Sequence, residues 1–181
     1  MKNGTLLAAI DLGSNSFRLE ICRFNNGLFQ RYEYLKEAVR QGSGLDQDRN
    51  LSVSSMEKGW DCLARFAERL SGFEPTQVRA VATQTLREAR NAKMFLEKAN
   101  RILGFPIEVV SGREEARLIY QGVAHLLPSS DERRLVIDIG GRSTEFIIGK
   151  NKEALQLESY RVGSVASSMK YFSSGEFSAS S

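Results

Sequence analysis

Apolar and polar positions along the chain alternate first with the period of strands and then with that of helices. An apolar run over residues 6–12 predicts a buried strand, and strict alternation over 17–24 predicts its hairpin partner. A third strand is predicted over 28–39, after an Asn-Asn-Gly turn. Three consecutive strands form a β-meander, which differs from the immediate strand–helix alternation of a dinucleotide-binding fold.

The period then changes to that of a helix. Met56, Trp60, Leu63, Ala67 and Leu70 recur at steps of four and three, so they lie on one helical face that we expect in the core. Further predicted elements are a strand over 78–83, a helix over 91–103, a strand over 107–110 and a helix over 112–127.

The opening pattern returns after a linker at 128–132. Strands over 135–140, 144–149 and 154–162 repeat the meander, and a helix begins at 165–172, before a Ser-rich stretch over 173–181 that lacks periodicity. We therefore expect two domains. Residues 1–127 would form one complete lobe of order β-β-β-α-β-α-β-α, and residues 128–181 would begin a second, incomplete lobe.

The two meanders share a motif at an offset of 127 positions. Ala8 to Leu19 aligns with Leu135 to Phe146, so that Asp11 matches Asp138, Gly13 matches Gly140 and Ser16 matches Ser143. In each copy a buried strand delivers an aspartate, which suits hydrated Mg²⁺, and a turn of small residues follows that can gather N–H and hydroxyl donors. The repeat predicts two phosphate loops that grip a phosphate chain from both sides, whereas a single copy could be an ordinary hairpin turn.

Composition narrows the class of protein. The 181 residues are 41% hydrophobic and 26% charged, and no apolar run approaches the length of a membrane span. Two cysteines make no disulfide framework, which favours the cytoplasm. The net charge of +3 suits an anionic small substrate without requiring a nucleic acid, and a single histidine excludes zinc sites that need several.

Four motifs in order resemble the exopolyphosphatase and guanosine pentaphosphate phosphohydrolase family. They are the two phosphate loops, the Thr-x-x-Leu-Arg segment at 83–87 and the Ser-Gly-Arg-Glu-Glu segment at 111–115. Gly163 resembles a glycine that follows the second loop in the family. The match covers residues 8–172, and the segments at 56–60 and 118–125 look closer to the pentaphosphate branch.

The resemblance implies an α/β fold of the actin-like ATPase, ribonuclease-H-like kind. It also implies Mg²⁺-dependent hydrolysis of a terminal phosphoanhydride, on guanosine pentaphosphate or inorganic polyphosphate. Glu115 would be the general base, while Asp11, Asp138 and Glu145 would be linked to the metal. The implied phosphate-binding residues are Gly13, Ser14, Asn15, Ser16, Arg87, Gly140, Gly141, Arg142, Ser143 and Thr144.

Several of these residues also have simpler interpretations. Glu114 and Glu115 lie in one first turn about 100° apart, where both favour the helix dipole, and the family pattern selects the second. Arg87 could be a surface or ion-paired arginine. Arg142 replaces a small residue of the family pattern, so it could clamp a phosphate, or obstruct the loop if that position requires a positive φ.

Other functions remain open at this point. The chain could be a non-catalytic module that binds an alarmone or polyphosphate, which truncation and Arg142 would favour, or an actin-like or sugar-kinase-type ATPase. An unfinished second lobe would leave a sheet edge open and allow a homodimer.

Overall fold

The computed structural model describes residues 1–172, and the Ser-rich stretch noted above lies outside them. The first compact unit is Met1–Val109. Its strands are β1 (Leu6–Leu12), β2 (Phe17–Asn25), β3 (Leu28–Glu37), β4 (Val78–Ala82) and β5 (Ile107–Val109). They form a sheet of order β3-β2-β1-β4-β5, antiparallel between the first three strands and parallel between β1, β4 and β5.

Three helices belong to this unit: α1 (Val53–Arg69), α2 (Gln84–Glu88) and α3 (Ala92–Leu103). The Ser52 side chain caps α1 by accepting from the Ser55 amide at 3.2 Å, and Gly104 ends α3 with a φ of +80°. The predicted α1 and α3 are confirmed. The five-residue helix α2 was missed, because so short an element shows no period.

Alternation along β1 and β2 places their apolar side chains on one face of the sheet. Ile10, Leu12, Phe17 and Leu19 are almost completely buried and share one core with apolar residues of α1 and α3. The predicted stripe of α1 contributes Met56, Leu63 and Leu70 to this core, while Trp60 is half-buried. The Trp60 ring stacks on Phe95 with centroids 5.8 Å apart and donates from Nε1 to the Phe95 carbonyl.

The second unit begins at Val110. Its elements are α4 (Gly112–Leu126), β6 (Arg133–Ile139), β7 (Thr144–Lys150), β8 (Glu153–Tyr160) and α5 (Ser164–Tyr171). The three strands form an antiparallel sheet of order β6-β7-β8, which repeats the meander as predicted.

Helix α4 is grouped with the second sheet, whereas the sequence analysis placed it in the first lobe and the boundary after residue 127. Ala116, Tyr120 and Ala124 form one buried face of α4, and they share a core with Ile147 of β7. The periodicity of α4 reveals this apolar face, but it carries no information about which sheet the face covers.

The opposite face of the second sheet is exposed. Leu135, Ile137 and Ile139 of β6 are 60%, 48% and 70% exposed. Their counterparts 127 positions earlier, Ala8, Ile10 and Leu12, are at most 5% exposed. The same alternating pattern is therefore covered in the first unit and open to solvent in the second. None of the helices within residues 1–172 is long and apolar enough to cross a membrane.

Close packing of Tyr120 on Gly149 makes a test of the second core. A Cβ on Gly149 would lie 2.1 Å from the Tyr120 ring and 2.6 Å from the Glu153 carbonyl oxygen. We expect Gly149→Ala to lower the free energy of unfolding of this unit by about 1–3 kcal/mol, because the ring must move.

The matched control is Gly122→Ala in α4, where a Cβ meets nothing within 4 Å. Because alanine favours helices, this change should stabilise the unit by about 0.5–1 kcal/mol. Amide exchange of β7 at increasing urea concentration measures the stability of the second unit in both variants. Equal stability of the two variants would contradict this packing of Tyr120 on Gly149.

Candidate functional site: two phosphate loops and their carboxylates

The first candidate phosphate loop, residues 13–16, joins β1 to β2. The Ser14 and Ser16 side chains are almost buried, while Asn15 is exposed. A Cβ on Gly13 would lie 2.9 Å from the Ser16 carbonyl oxygen, and the φ of Gly13 is not positive. Glycine is therefore required here by the close approach of two backbone segments, and not by a left-handed conformation.

Two backbone hydrogen bonds hold this loop from a neighbouring segment. The Gly42 amide donates to the Ser14 carbonyl at 2.7 Å, and the Arg40 amide donates to the Asn15 carbonyl at 2.8 Å. Arg40 adopts the left-handed conformation, with a φ of 54°. These bonds fix the path of the loop backbone.

A third contact comes from α2 and reaches a side chain. The Thr85 hydroxyl donates to the Ser14 hydroxyl at 2.8 Å, and Thr85 is 1% exposed. Sequence analysis did not single out Thr85, Arg40 or Gly42. The one signal available in the sequence was that Thr85 lies within the segment at 83–87 that resembles the family.

The second loop shares the close glycine–carbonyl approach of the first and adds a backbone hydrogen bond. The Gly140 amide donates to the Ser143 carbonyl at 2.9 Å, and a Cβ on Gly140 would lie 3.0 Å from that oxygen. Ser143 and Thr144 are buried, and the Thr144 hydroxyl donates to the Val162 carbonyl at 2.6 Å. Both aligned glycines thus face the carbonyl of the aligned serine.

The first turn of α5 supports the second loop. The Ser164 amide donates to the Gly140 carbonyl at 3.0 Å, and the Val165 amide donates to the Gly141 carbonyl at 2.8 Å. The helix start is therefore used to hold the loop. Gly163 permits this contact, because a Cβ there would lie 2.5 Å from the Gly141 carbonyl carbon and the Arg142 nitrogen.

Arg142 occupies its loop position without backbone strain. It is not among the residues with positive φ, and it is half-buried. The left-handed geometry that would have made an arginine unfavourable here is absent at this residue.

The two equivalent strand ends of the repeat differ in charge. Asp11 lies opposite Arg18 in the β1–β2 register, and their side chains are 3.3 Å apart. At the corresponding positions of the second sheet, Asp138 lies opposite Glu145. An arginine thus partly neutralises the first aspartate, whereas a second carboxylate reinforces the negative charge beside the other.

This donor set suits Mg²⁺ in the second unit. Glu145 is 1% exposed and accepts from the Ser159 hydroxyl at 2.8 Å, while Asp138 is exposed at the strand end. Within residues 1–172 no three His, Cys, Asp or Glu side chains form a metal cluster. Because Mg²⁺ usually keeps several waters and uses one or two carboxylates, the pair is a sufficient protein contribution.

Helix α4 presents the two candidate bases. The Ser111 hydroxyl accepts from the Glu114 amide at 3.1 Å and so begins the helix. The Glu114 carboxylate is held by both Nε and Nη2 of Arg117 at 2.7 Å, and this ion pair raises the pKa of Arg117. A carboxylate held in this way by a cation is a weaker base, which weighs against Glu114, and the neighbouring Glu115 is half-buried.

Arg87 lies in α2 and has a defined orientation. Its Nε and Nη2 donate to the Gln84 side-chain oxygen at 3.0 and 2.7 Å, and Gln84 donates in turn to Glu88 at 2.6 Å. The planar guanidinium is therefore held along one edge. Gln84 is almost buried and is a further residue that sequence analysis did not identify.

Comparison with known proteins decides the family. The model of the Ppx/GppA phosphatase family matches residues 20–180. The chain belongs to the Ppx/GppA phosphatase family. It is 50% identical over 177 residues to a Vibrio vulnificus protein named guanosine-5'-triphosphate,3'-diphosphate pyrophosphatase, covering 98% of this chain and 35% of that protein. The chain thus spans about a third of the length of such relatives.

Solved structures of this family share the fold. The exopolyphosphatase from Cytophaga hutchinsonii is 31% identical with a TM-score of 0.82, and the match covers 88% of this chain and 51% of that one. The Aquifex aeolicus PPX-GPPA enzyme is 30% identical with a TM-score of 0.79, over 92% of this chain and 56% of that one. The predicted α/β, actin-like ATPase fold is confirmed.

The contact of Gly163 with the second loop can be tested directly. Gly163→Ala should push α5 away from Gly141, because its Cβ has no room, although its φ of −158° suits any residue. We expect amide exchange at Ser164 and Val165 to speed up by about five- to a hundredfold, the effect of an overpacking cost of about 1–3 kcal/mol.

The control is Ser168→Ala, an exposed position on the same helix. It should leave these exchange rates unchanged. Unchanged rates in Gly163→Ala would show that the loop does not depend on this contact.

Proposed function

We propose that this chain carries the phosphate-binding and catalytic residues of a Mg²⁺-dependent phosphoanhydride hydrolase. Its reaction would remove the terminal phosphate of guanosine pentaphosphate and leave guanosine tetraphosphate. The observation that carries the proposal is the pair of loops in which an aligned glycine closely approaches the carbonyl of an aligned serine, in a chain 50% identical to a protein named for this activity.

The loops would bind the phosphates. Ser14, Asn15 and Ser16 of one unit and Ser143 and Thr144 of the other offer backbone and side-chain donors, with Gly13, Gly140 and Gly141 giving the close turns. Arg87 and Arg142 would add guanidinium groups suited to phosphate oxygens. Phosphoryl transfer depends mainly on positioning and charge stabilisation, which such loops can supply.

Asp138 and Glu145 would hold Mg²⁺, with Asp11 as a further carboxylate. When bound, the metal would neutralise charge on the phosphate oxygens and thereby make the phosphorus more open to attack. The protein's own contribution is to keep two carboxylates at directly opposed register positions of β6 and β7.

Glu115 would orient a water molecule and accept its proton, as general base. Its neighbour Glu114 is held by two hydrogen bonds from Arg117, which weighs against Glu114 as the base. The water oxygen would form the new bond to phosphorus, and the bridging oxygen of the anhydride would leave with the remaining phosphates.

Inorganic polyphosphate is the second candidate substrate. The similarity to the Cytophaga exopolyphosphatase supports it, at 31% identity compared with 50% for the pyrophosphatase. The two substrates present the same terminal anhydride, so the loops and Glu115 would have the same roles.

We place the protein in the cytoplasm, which suits its two free cysteines.

The role of Glu115 is tested by phosphate release from guanosine pentaphosphate and, separately, from polyphosphate. Glu115→Gln should lower the rate by about a hundredfold or more and leave substrate affinity nearly unchanged, because general-base catalysis contributes about 10²–10⁴-fold. Removal of Mg²⁺ with a chelator should abolish release by the parent chain.

Glu114→Gln is the matched control, and it should retain most of the activity. Undiminished release by Glu115→Gln would refute the assignment. Saturable binding without release from either substrate would instead indicate a non-catalytic binding module.

We also propose that the chain forms a homodimer through the exposed face of the second sheet. Leu135, Ile137 and Phe146 are 60%, 48% and 38% exposed there, a contiguous apolar surface of the kind that favours association. Light scattering should give twice the mass of one chain, and Ile137→Glu should give the single-chain mass. A single-chain mass at high concentration for the parent protein would contradict the dimer.

A further inference from the structure

The α2 helix reaches the first phosphate loop because two parallel strands end together. Leu12 of β1 pairs with Ala82 of β4 at the last position of their ladder. The loop follows β1 and α2 follows β4, so both start from the same edge of the sheet. The Thr83 amide, between β4 and α2, donates to the Leu12 carbonyl at 3.4 Å.

The Thr85 and Ser14 side chains contact each other at this edge and are buried from solvent. Thr85 is 1% exposed and Ser14 is 6% exposed, and the Thr85 Oγ1 donates its proton to the Ser14 Oγ at 2.8 Å. A serine hydroxyl has one proton and two acceptor positions. Since Thr85 occupies an acceptor position, the Ser14 proton remains to be donated elsewhere.

Within residues 1–172, Thr85 is the one hydrogen-bond partner of the Ser14 hydroxyl. The Ser14 carbonyl is used separately, as the acceptor for the Gly42 amide. A buried hydroxyl without an acceptor for its proton is costly unless a ligand provides one. A phosphate oxygen bound in the loop is such an acceptor.

We propose that Thr85 is a positioning residue, which turns the Ser14 hydroxyl into an oriented donor to a phosphate oxygen. This rests on the proposed phosphate-binding function of the first loop. The loop backbone is held independently by Arg40 and Gly42. Loss of the Thr85 hydroxyl should therefore weaken phosphate binding while leaving the loop path in place.

The test uses methylenediphosphonate with Mg²⁺, a phosphate-chain analogue without a scissile anhydride. Binding is followed at the backbone amide signals of residues 13–16, which report on this loop alone. Thr85→Val keeps the side-chain shape and removes the donor, and it should weaken binding by about five- to tenfold. Thr85→Ser keeps the hydroxyl and should bind as the parent chain does.

Ser55→Ala is the control for the loss of a buried hydroxyl. Its Oγ lies in α1 and has no hydrogen-bond partner in the described part of the chain, so binding should not change. In a Ser14→Ala background, Thr85→Val should have no further effect, because the two residues act as one unit. If Thr85→Val fails to fold, Thr85→Ala takes its place in every comparison.

Two results would overturn this inference without affecting the proposed phosphate-binding function. They are parent-like binding by Thr85→Val, and an undiminished effect of Thr85→Val in the Ser14→Ala background. An absence of binding at residues 13–16 in the parent chain would instead refute the phosphate-binding function of the loop, and the inference with it.

Discussion

The close approach of a glycine to a serine carbonyl is the constraint on which both candidate phosphate loops depend. Gly13 faces Ser16 and Gly140 faces Ser143, and in each loop a Cβ on the glycine would come within about 3 Å of the carbonyl oxygen. A larger residue would open the turn and move the donors that follow. The same local solution, repeated after 127 positions, gives each unit one polar loop at the end of its first strand.

The two loops are supported by different means. Two segments distant in sequence hold the first loop, one through Arg40 and Gly42 and the other through Thr85. The second loop is held by the start of α5, whose amides donate to Gly140 and Gly141. The carboxylates differ as well, since Arg18 faces Asp11 whereas Glu145 faces Asp138. The repeat thus keeps the close glycine–serine approach while changing the charge that faces the aspartate.

Much of this fold could be predicted from periodicity, because strand and helix faces are local properties. Each predicted strand and the helices α1, α3, α4 and α5 appear within a few residues of their expected bounds. Two features could not be found in this way. Helix α2 is too short to show a period. The sequence shows that α4 has an apolar face with Ala116 and Tyr120, but it does not show which sheet that face covers.

The candidate site shows the same division. The loop residues and carboxylates follow from a repeated motif, and the family resemblance selects Glu115. The roles of the supporting residues do not follow from the motif. The Thr85–Ser14 hydrogen bond joins positions 71 residues apart, and the role of Gly163 depends on a contact with Gly141. Such contacts exist only after the chain has folded.

The most direct test of paired phosphate loops is amide hydrogen exchange measured by mass spectrometry, with and without methylenediphosphonate and Mg²⁺. We expect slower exchange in residues 13–16 and in residues 140–144 when the ligand is present. Protection of one loop without the other, or of neither, would contradict the proposal that both loops bind phosphate.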